Sequence, residues 1–104
     1  MDRNSIVIVS LNAPREKVWG RLLDLTPAGV TIQGIDLNGF DDWMRQVLEA
    51  EPALLPLGTV FYPMHRVERI AHDEPSGDLP SIAQKFSQRV GISLVEYLEL
   101  PRKI

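Results

Sequence analysis

Three side chains able to contact a ligand lie close together late in the chain. Tyr62, His65 and Arg66 surround Pro63, where an apolar strand meets a turn. Aromatic and histidine rings can stack on a base, and an arginine can pair with a phosphate. Phe61 and Tyr62 are adjacent and therefore face opposite sides of a strand, so the outer one is a candidate contact aromatic. Tyr62, His65 and Arg66 form the candidate ligand-binding site.

His65 has two alternative roles. It can carry a proton, or it can bond a backbone carbonyl and hold the turn in place, which is the usual role of a histidine beside a strand end. Arg66 and Arg69 are three residues apart, so they fall on opposite faces of a strand. This spacing favours contact with solvent, or ion pairs between subunits, over a joint phosphate clamp.

The sequence lacks the patterns on which common enzymatic mechanisms depend. It has no cysteine, no Gly-rich phosphate loop, no His-x-x-x-His pair and no Gly-x-Ser-x-Gly nucleophile. The run His72-Asp73-Glu74 contains metal-ligand types, but consecutive loop residues rarely converge on one ion, and we interpret it as a solvated turn. We expect a non-enzymatic protein with no catalytic residue, metal or cofactor.

Composition predicts one soluble, cytoplasmic domain. A length of 104 residues is common for a domain, and 44% hydrophobic and 24% charged residues are ordinary for a globular chain. The absence of cysteine argues against a disulfide-stapled secreted domain, and no apolar run approaches the roughly 20 residues of a membrane span. A net charge of −3 argues against broad affinity for nucleic acid, although a local patch can still bind it.

Five strands are predicted to position the candidate site. Segments 5–11, 17–25 and 30–37 combine β-branched residues with alternation of period two. The segment 59–71 adds two more strands on either side of the turn that carries His65.

Glycines are expected where this sheet bends or turns. Gly20 and Gly34 lie inside predicted strands, where a missing side chain lets neighbouring strands coil. Gly29 ends the predicted turn 26–29, where we expect it to take a positive φ.

Apolar residues at helical spacing predict three helices. The first, at about 40–50, is inserted between strands three and four, and two more form a tail at 78–100. Gly91 is expected to end the second helix in a left-handed conformation, and Ser93 with Glu96 to cap the third. Two apolar stripes define the buried faces of the first two helices: Phe40, Trp43, Met44, Val47 and Leu48, then Leu79, Ile82, Ala83, Phe86 and Val90.

These elements predict a mainly β, α+β single domain spanning 1–104. The expected architecture is a five-stranded SH3-like or Sm-like small β-barrel at 5–71 with the inserted helix and the helical tail. The uncharged segment 53–57, ALLPL, is a candidate partner surface together with the helix at 40–50.

The barrel portion resembles the Sm and Hfq family. The element Gly20-Arg21-Leu22 looks like that family's Gly-x-Leu, and 63–70 is similar to Hfq's Tyr-Lys-His-Ala-Ile-Ser-Thr-Val, with His65 at the matching His. The resemblance implies rings joined edge to edge and a His that helps to line a uridine-binding pocket. Pro63 and Met64 replace the Tyr and Lys, which removes a backbone donor and a phosphate-pairing charge.

A second, weaker resemblance is to PilZ barrels. The segment 24–29 is similar to their Asp/Asn-x-Ser-x-x-Gly turn, with Thr26 in place of Ser. Those barrels bind cyclic di-GMP through an upstream Arg-x-x-x-Arg element, whereas Arg15 and Arg21 are six residues apart here. The resemblance implies a degenerate relative without that ligand, and a plain hairpin turn explains the same residues.

Two functional hypotheses follow from the strand edges that a small barrel leaves open. In the first, an Sm-like oligomer presents Tyr62, His65 and Arg66 to single-stranded RNA. In the second, the chain is a protein-interaction or regulatory adaptor with no nucleic-acid ligand. We expect self-association together with an RNA or protein partner, and neither a membrane partner nor a DNA-binding motif. A ring of five to seven subunits would support the first hypothesis, and a monomer or dimer the second.

Overall fold

The computed structural model describes residues 1–49 and 57–99. Across these ranges the chain forms five strands and three α-helices, with short 3-10 turns at Leu37–Gly39 and Met64–Arg66. The prediction of a mixed, mostly β fold is therefore confirmed. The elements are β1 Ile6–Leu11, β2 Glu16–Thr26, β3 Gly29–Asp36, α1 Phe40–Glu49, β4 Gly58–Pro63, β5 Val67–His72, α2 Ile82–Val90 and α3 Leu94–Leu98.

All five strands belong to one antiparallel sheet in the order β4-β3-β2-β1-β5. Each strand therefore pairs with a neighbour in sequence except β5, which returns to pair with β1. Within the described residues no ladder joins β4 to β5, so the sheet has two edges and is not closed. The predicted closed barrel is not confirmed by this pairing.

The chain divides into two compact units. The first comprises Met1–Asn38 and Leu57–Asp73, which hold the whole sheet. The second is formed by the described residues within Gly39–Pro56 and Glu74–Ile104, which hold the three helices.

One face of the sheet carries the apolar core of the first unit. Period-two alternation places every second side chain of each strand on this face, and the register aligns them, as in the pair Val9 and Val18. Tyr62, Val67 and Ile70 pack against this core from the two edge strands. The core residues are all 3% exposed or less: Val7, Val9, Leu11, Val18, Leu22, Val30 and Ile32.

Two glycines allow the central strands to approach closely. Gly20 on β2 lies opposite Gly34 on β3, and a Cβ on Gly20 would sit 2.2 Å from the backbone oxygen of Gln33. No side chain fits there, which agrees with the predicted need for glycine at these positions.

Gly29 is also sterically required, but for a different reason from the one predicted. The hairpin turn consists of Pro27 and Ala28, and Gly29 is the first residue of β3. Among the described residues only Gly77 and Gly91 are glycines with positive φ, so the expectation of a left-handed Gly29 is wrong. A Cβ there would lie 2.3 Å from the backbone oxygen of Tyr62 and would meet the Phe61 ring.

The second unit is built around aromatic side chains. α1 buries Phe40, Trp43, Met44 and Val47 as its spacing predicts, whereas Leu48 is 47% exposed. The Trp43 ring stacks on Phe86 of α2 at 5.3 Å and meets Tyr97 of α3 edge-on at 5.7 Å. Geometry of this kind is typical of aromatic pairs in protein cores.

The ends of α2 and α3 follow from capping. Ser81 begins α2 with a reciprocal capping box to Gln84, and Gly91 ends it with a φ of 92°, as predicted. Ser93 begins α3 by accepting a hydrogen bond from the Glu96 N–H, which confirms the Ser93 half of the predicted reciprocal capping box. The inclusion of Leu79 in the second helical stripe is wrong, because Leu79 lies in a tight turn with Ser76 and is 70% exposed.

None of the helices in the described ranges is long and apolar enough to cross a membrane. Most of the ALLPL segment lies outside the described residues. Leu57, its last residue, is 3% exposed.

Candidate functional site

The three predicted site residues lie at one corner of the first unit. Tyr62 is near the end of β4, and His65 and Arg66 belong to the 3-10 turn that follows. The Met64 N–H donates to the carbonyl of Ala28 at 2.9 Å, so this turn adjoins the β2–β3 hairpin. His65 is exposed and has no hydrogen bond within the described chain.

Arg66 is engaged by the chain itself. Its guanidinium donates to the backbone oxygens of Asn12 at 3.0 Å and Pro14 at 2.8 Å, and to the Glu16 carboxylate at 3.0 Å. The Asn12 N–H returns a bond to the Arg66 carbonyl at 2.9 Å. Arg66 therefore clamps the β1–β2 turn, and its donors are not free to bind a phosphate in this arrangement.

Tyr62 lies partly buried on the core face of the sheet. Burial raises the pKa of its phenol, and the nearby Glu16 carboxylate raises it further. Arg66 lowers the Tyr62 pKa and Asp36 raises it. The phenol is thus held neutral in surroundings that include two carboxylates, which is a poor environment for the phosphate backbone of RNA.

Beside Glu16 lies a shallow cleft of about 230 Å³. Its carboxylates already have partners, since Glu16 binds Arg66 and Asp36 accepts the Asn38 N–H at 2.7 Å. The cleft has mixed charge and selects no obvious ligand. It is lined by Arg15, Glu16, Lys17, Asp36, Leu37 and Asn38.

The run His72-Asp73-Glu74 does not behave as a simple solvated turn. His72 ends β5, and the Asp73 carboxylate accepts a hydrogen bond from the Trp19 indole at 2.9 Å. Sequence reasoning missed this bond because the two residues are far apart in the chain. In the described part of the chain, no group of three or more His, Cys, Asp or Glu side chains is placed to hold a metal ion.

Of the two outer strands of the sheet, β4 has the more accessible backbone edge. Residues 58–61 are exposed, with Val60 at 42% and Phe61 at 52%, and the strand carries no charge. The other edge strand, β5, bears exposed Glu68 and Arg69. Charges on an edge discourage pairing with another strand, so β4 is the edge left open to it.

Pro63 determines which backbone groups of β4 face this open edge. Pro63 lies opposite Gly29 and has no N–H, so this pair cannot exchange hydrogen bonds. Pairs alternate along an antiparallel ladder, and β4 therefore bonds to β3 through Gly58, Val60 and Tyr62. Thr59 and Phe61 direct their N–H and C=O groups outward, and no described residue bonds them.

Sequence reasoning identified only part of this surface. The alternation of Phe61 and Tyr62 predicted one outer aromatic, and Phe61 is the more exposed of the two. The open edge itself was not predicted, because it depends on which strands are central and which are outermost. The only local signal is Pro63, whose missing donor fixes the hydrogen-bonding phase of β4.

No family model matches this chain, and neither a curated protein nor a solved structure is significantly similar to it.

Proposed function

We propose that this chain is a non-enzymatic protein-interaction module of small-barrel architecture, which accepts an extended strand at the β4 edge. One observation carries the proposal: Thr59 and Phe61 present their N–H and C=O groups outward from an exposed, uncharged strand. Added strands bind such edges through main-chain hydrogen bonds, while side-chain contacts supply specificity.

The connection between the two edge strands supports a barrel-like curvature. In a flat sheet, β4 and β5 would be four strand spacings apart, about 19 Å. Only residues 64–66 separate Pro63 from Val67, and four trans peptide steps span at most about 15 Å. A sheet with this connection has to curl, and the paired glycines Gly20 and Gly34 permit the close strand approach that curling requires.

RNA is less well supported as the ligand. Of the three residues proposed to contact it, Arg66 is engaged with the β1–β2 turn and Tyr62 is partly buried near Glu16 and Asp36. His65 alone is freely exposed. We therefore favour a protein strand over RNA.

The test compares two proline substitutions in β4, one at a residue whose N–H points away from β3 and one at a residue whose N–H points toward it. Thr59→Pro removes an outward N–H and fills the open edge with the proline ring, while the bonds from β4 to β3 are retained. The probe is a soluble peptide of alternating Thr and Val flanked by Lys, added to the isotope-labelled chain. We expect peptide-induced shifts of the Thr59 and Phe61 backbone amides in the native chain, and loss of the Phe61 shift in Thr59→Pro while the sheet is retained.

Val60→Pro is the matched control, because Val60 donates toward β3 and this change should disrupt the sheet itself. Peptide-induced shifts elsewhere, or none at millimolar peptide, would overturn the proposal. Binding of oligo-U at low salt, lost on His65→Ala, would favour the RNA hypothesis instead.

A further inference from the structure

We infer that the strand accepted at this edge is β4 of a second copy of the chain, paired antiparallel about a two-fold axis at Val60. The inference rests on the proposed function of the edge and names its occupant. It follows from the hydrogen-bonding phase of β4 and from the lack of charge along it.

The outward backbone groups of β4 are complementary to themselves. With the two-fold axis at Val60, Thr59 of one copy lies opposite Phe61 of the other. Each residue presents one N–H and one C=O to the edge, so the two opposed residues exchange both bonds, and symmetry repeats the exchange. Every outward group of Thr59 and Phe61 is then satisfied.

Neighbouring residues disfavour the other registers. An axis at Phe61 would place Thr59 opposite Pro63, which has no N–H to return. An axis at Thr59 would place Phe61 opposite Leu57, a buried residue that precedes the strand. Val60 is therefore the centre at which every outward N–H and C=O of Thr59 and Phe61 has a partner within β4.

The side chains of β4 also favour the register centred on Val60. Val60 would face its own copy at a non-hydrogen-bonded position, where opposed strands approach most closely. Phe61 would face Thr59, an aromatic and β-branched combination that stabilises antiparallel pairs. A two-fold contact places a strand against a second copy of itself, so charges of one sign would come close together. β4 carries no charge and avoids this repulsion, whereas β5 carries Glu68 and Arg69.

Cysteine cross-linking tests the register directly. The chain has no cysteine, so a single introduced thiol can react only with its copy or with added oxidant. In Val60→Cys the two Cα atoms would be about 4.5 Å apart, within the range that a disulfide spans. We expect Val60→Cys to form a covalent dimer under mild oxidation.

Thr59→Cys is the matched control. It lies on the same exposed strand, but its Cα would be about 8 Å from that of its copy, beyond the reach of a disulfide. Equal cross-linking of both variants, or none of either, would overturn the inference.

Sedimentation velocity over about a hundred-fold range of concentration supplies the second measurement. One strand pair is smaller than a standard protein interface, so we expect a concentration-dependent dimer, with the dissociation constant raised at least about tenfold by Thr59→Pro. Species larger than a dimer would indicate head-to-tail pairing and would also overturn the inference. A chain that stays monomeric but still binds the peptide at Thr59 and Phe61 would refute the second copy alone, whereas loss of both results would refute the proposed function as well.

Discussion

Replacing Arg66 by alanine should destabilise the first unit, because its side chain connects the start of β5 to the β1–β2 turn. The guanidinium donates to two backbone oxygens, those of Asn12 and Pro14, and pairs with Glu16. The arginine side chain is 21% exposed and that of Glu16 is 34% exposed. Water can therefore replace part, but not all, of the hydrogen bonding that the substitution removes.

The structure allows the size of this loss to be worked out. A hydrogen bond from a charged donor contributes about 1.5 to 3 kcal/mol when shielded, and less at the exposed Pro14 oxygen. The ion pair with Glu16 adds less than about 1 kcal/mol at this exposure. We expect Arg66→Ala to lower the free energy of unfolding by about 2 to 3 kcal/mol.

Urea denaturation followed by circular dichroism measures this change, and amide hydrogen exchange at Asn12 localises it, since that N–H donates to the Arg66 carbonyl. Arg66→Lys keeps the charge but cannot reproduce the forked geometry, so it should lose about half as much. Arg69→Ala, an exposed arginine on β5, is the control and should change stability by less than about 0.5 kcal/mol.

One result would refute the reasoning. If Arg66→Ala were as stable as Arg69→Ala, with unchanged exchange at Asn12, the three bonds would contribute nothing to the fold. Arg66 would then be free to serve as the ligand-binding residue that the sequence predicted.

Three further predictions follow from single positions. Gly20→Ala should cost more than about 3 kcal/mol in urea denaturation, because its Cβ would lie 2.2 Å from a backbone oxygen, whereas Gly58→Ala has open space and should be neutral to slightly stabilising. Stability should fall as pH rises above about 10, because the unfolded chain loses the Tyr62 proton before the folded chain does, and parallel curves for the native chain and Tyr62→Phe would contradict this. Ser81→Ala should lower the free energy of unfolding by about 1 kcal/mol, and reduce the helix content, through loss of the capping box; an equal effect of Gln88→Ala would argue against it.

Much of the secondary structure is predictable from local patterns. β-branched alternation located all five strands, because a strand exposes alternate side chains to a core on one face. Helical spacing located α1, and Gly91 and Ser93 marked helix ends, since these residues satisfy backbone groups locally. Leu79 was misassigned because its spacing fits the stripe, while Pro80 and the Ser81 cap start the helix after it.

The candidate site was less predictable. Tyr62, His65 and Arg66 are close in sequence, so their grouping at one corner follows from the short turn. Whether these side chains are free to bind a ligand does not follow, because Arg66 reaches acceptors 50 to 54 positions away in the sequence and Tyr62 lies near Glu16 and Asp36.

The sequence by itself determined the strands, the end of α2, the start of α3 and the need for glycine at Gly20 and Gly34, since each depends on the local periodicity, capping chemistry or steric size of the residues. Tertiary structure decided which strands are central, and with that which backbone groups of β4 are left open. Hydrogen-bond partners in a sheet come from distant segments, so the exposed donors of Thr59 and Phe61 are defined only once β3 has occupied the other side of the strand.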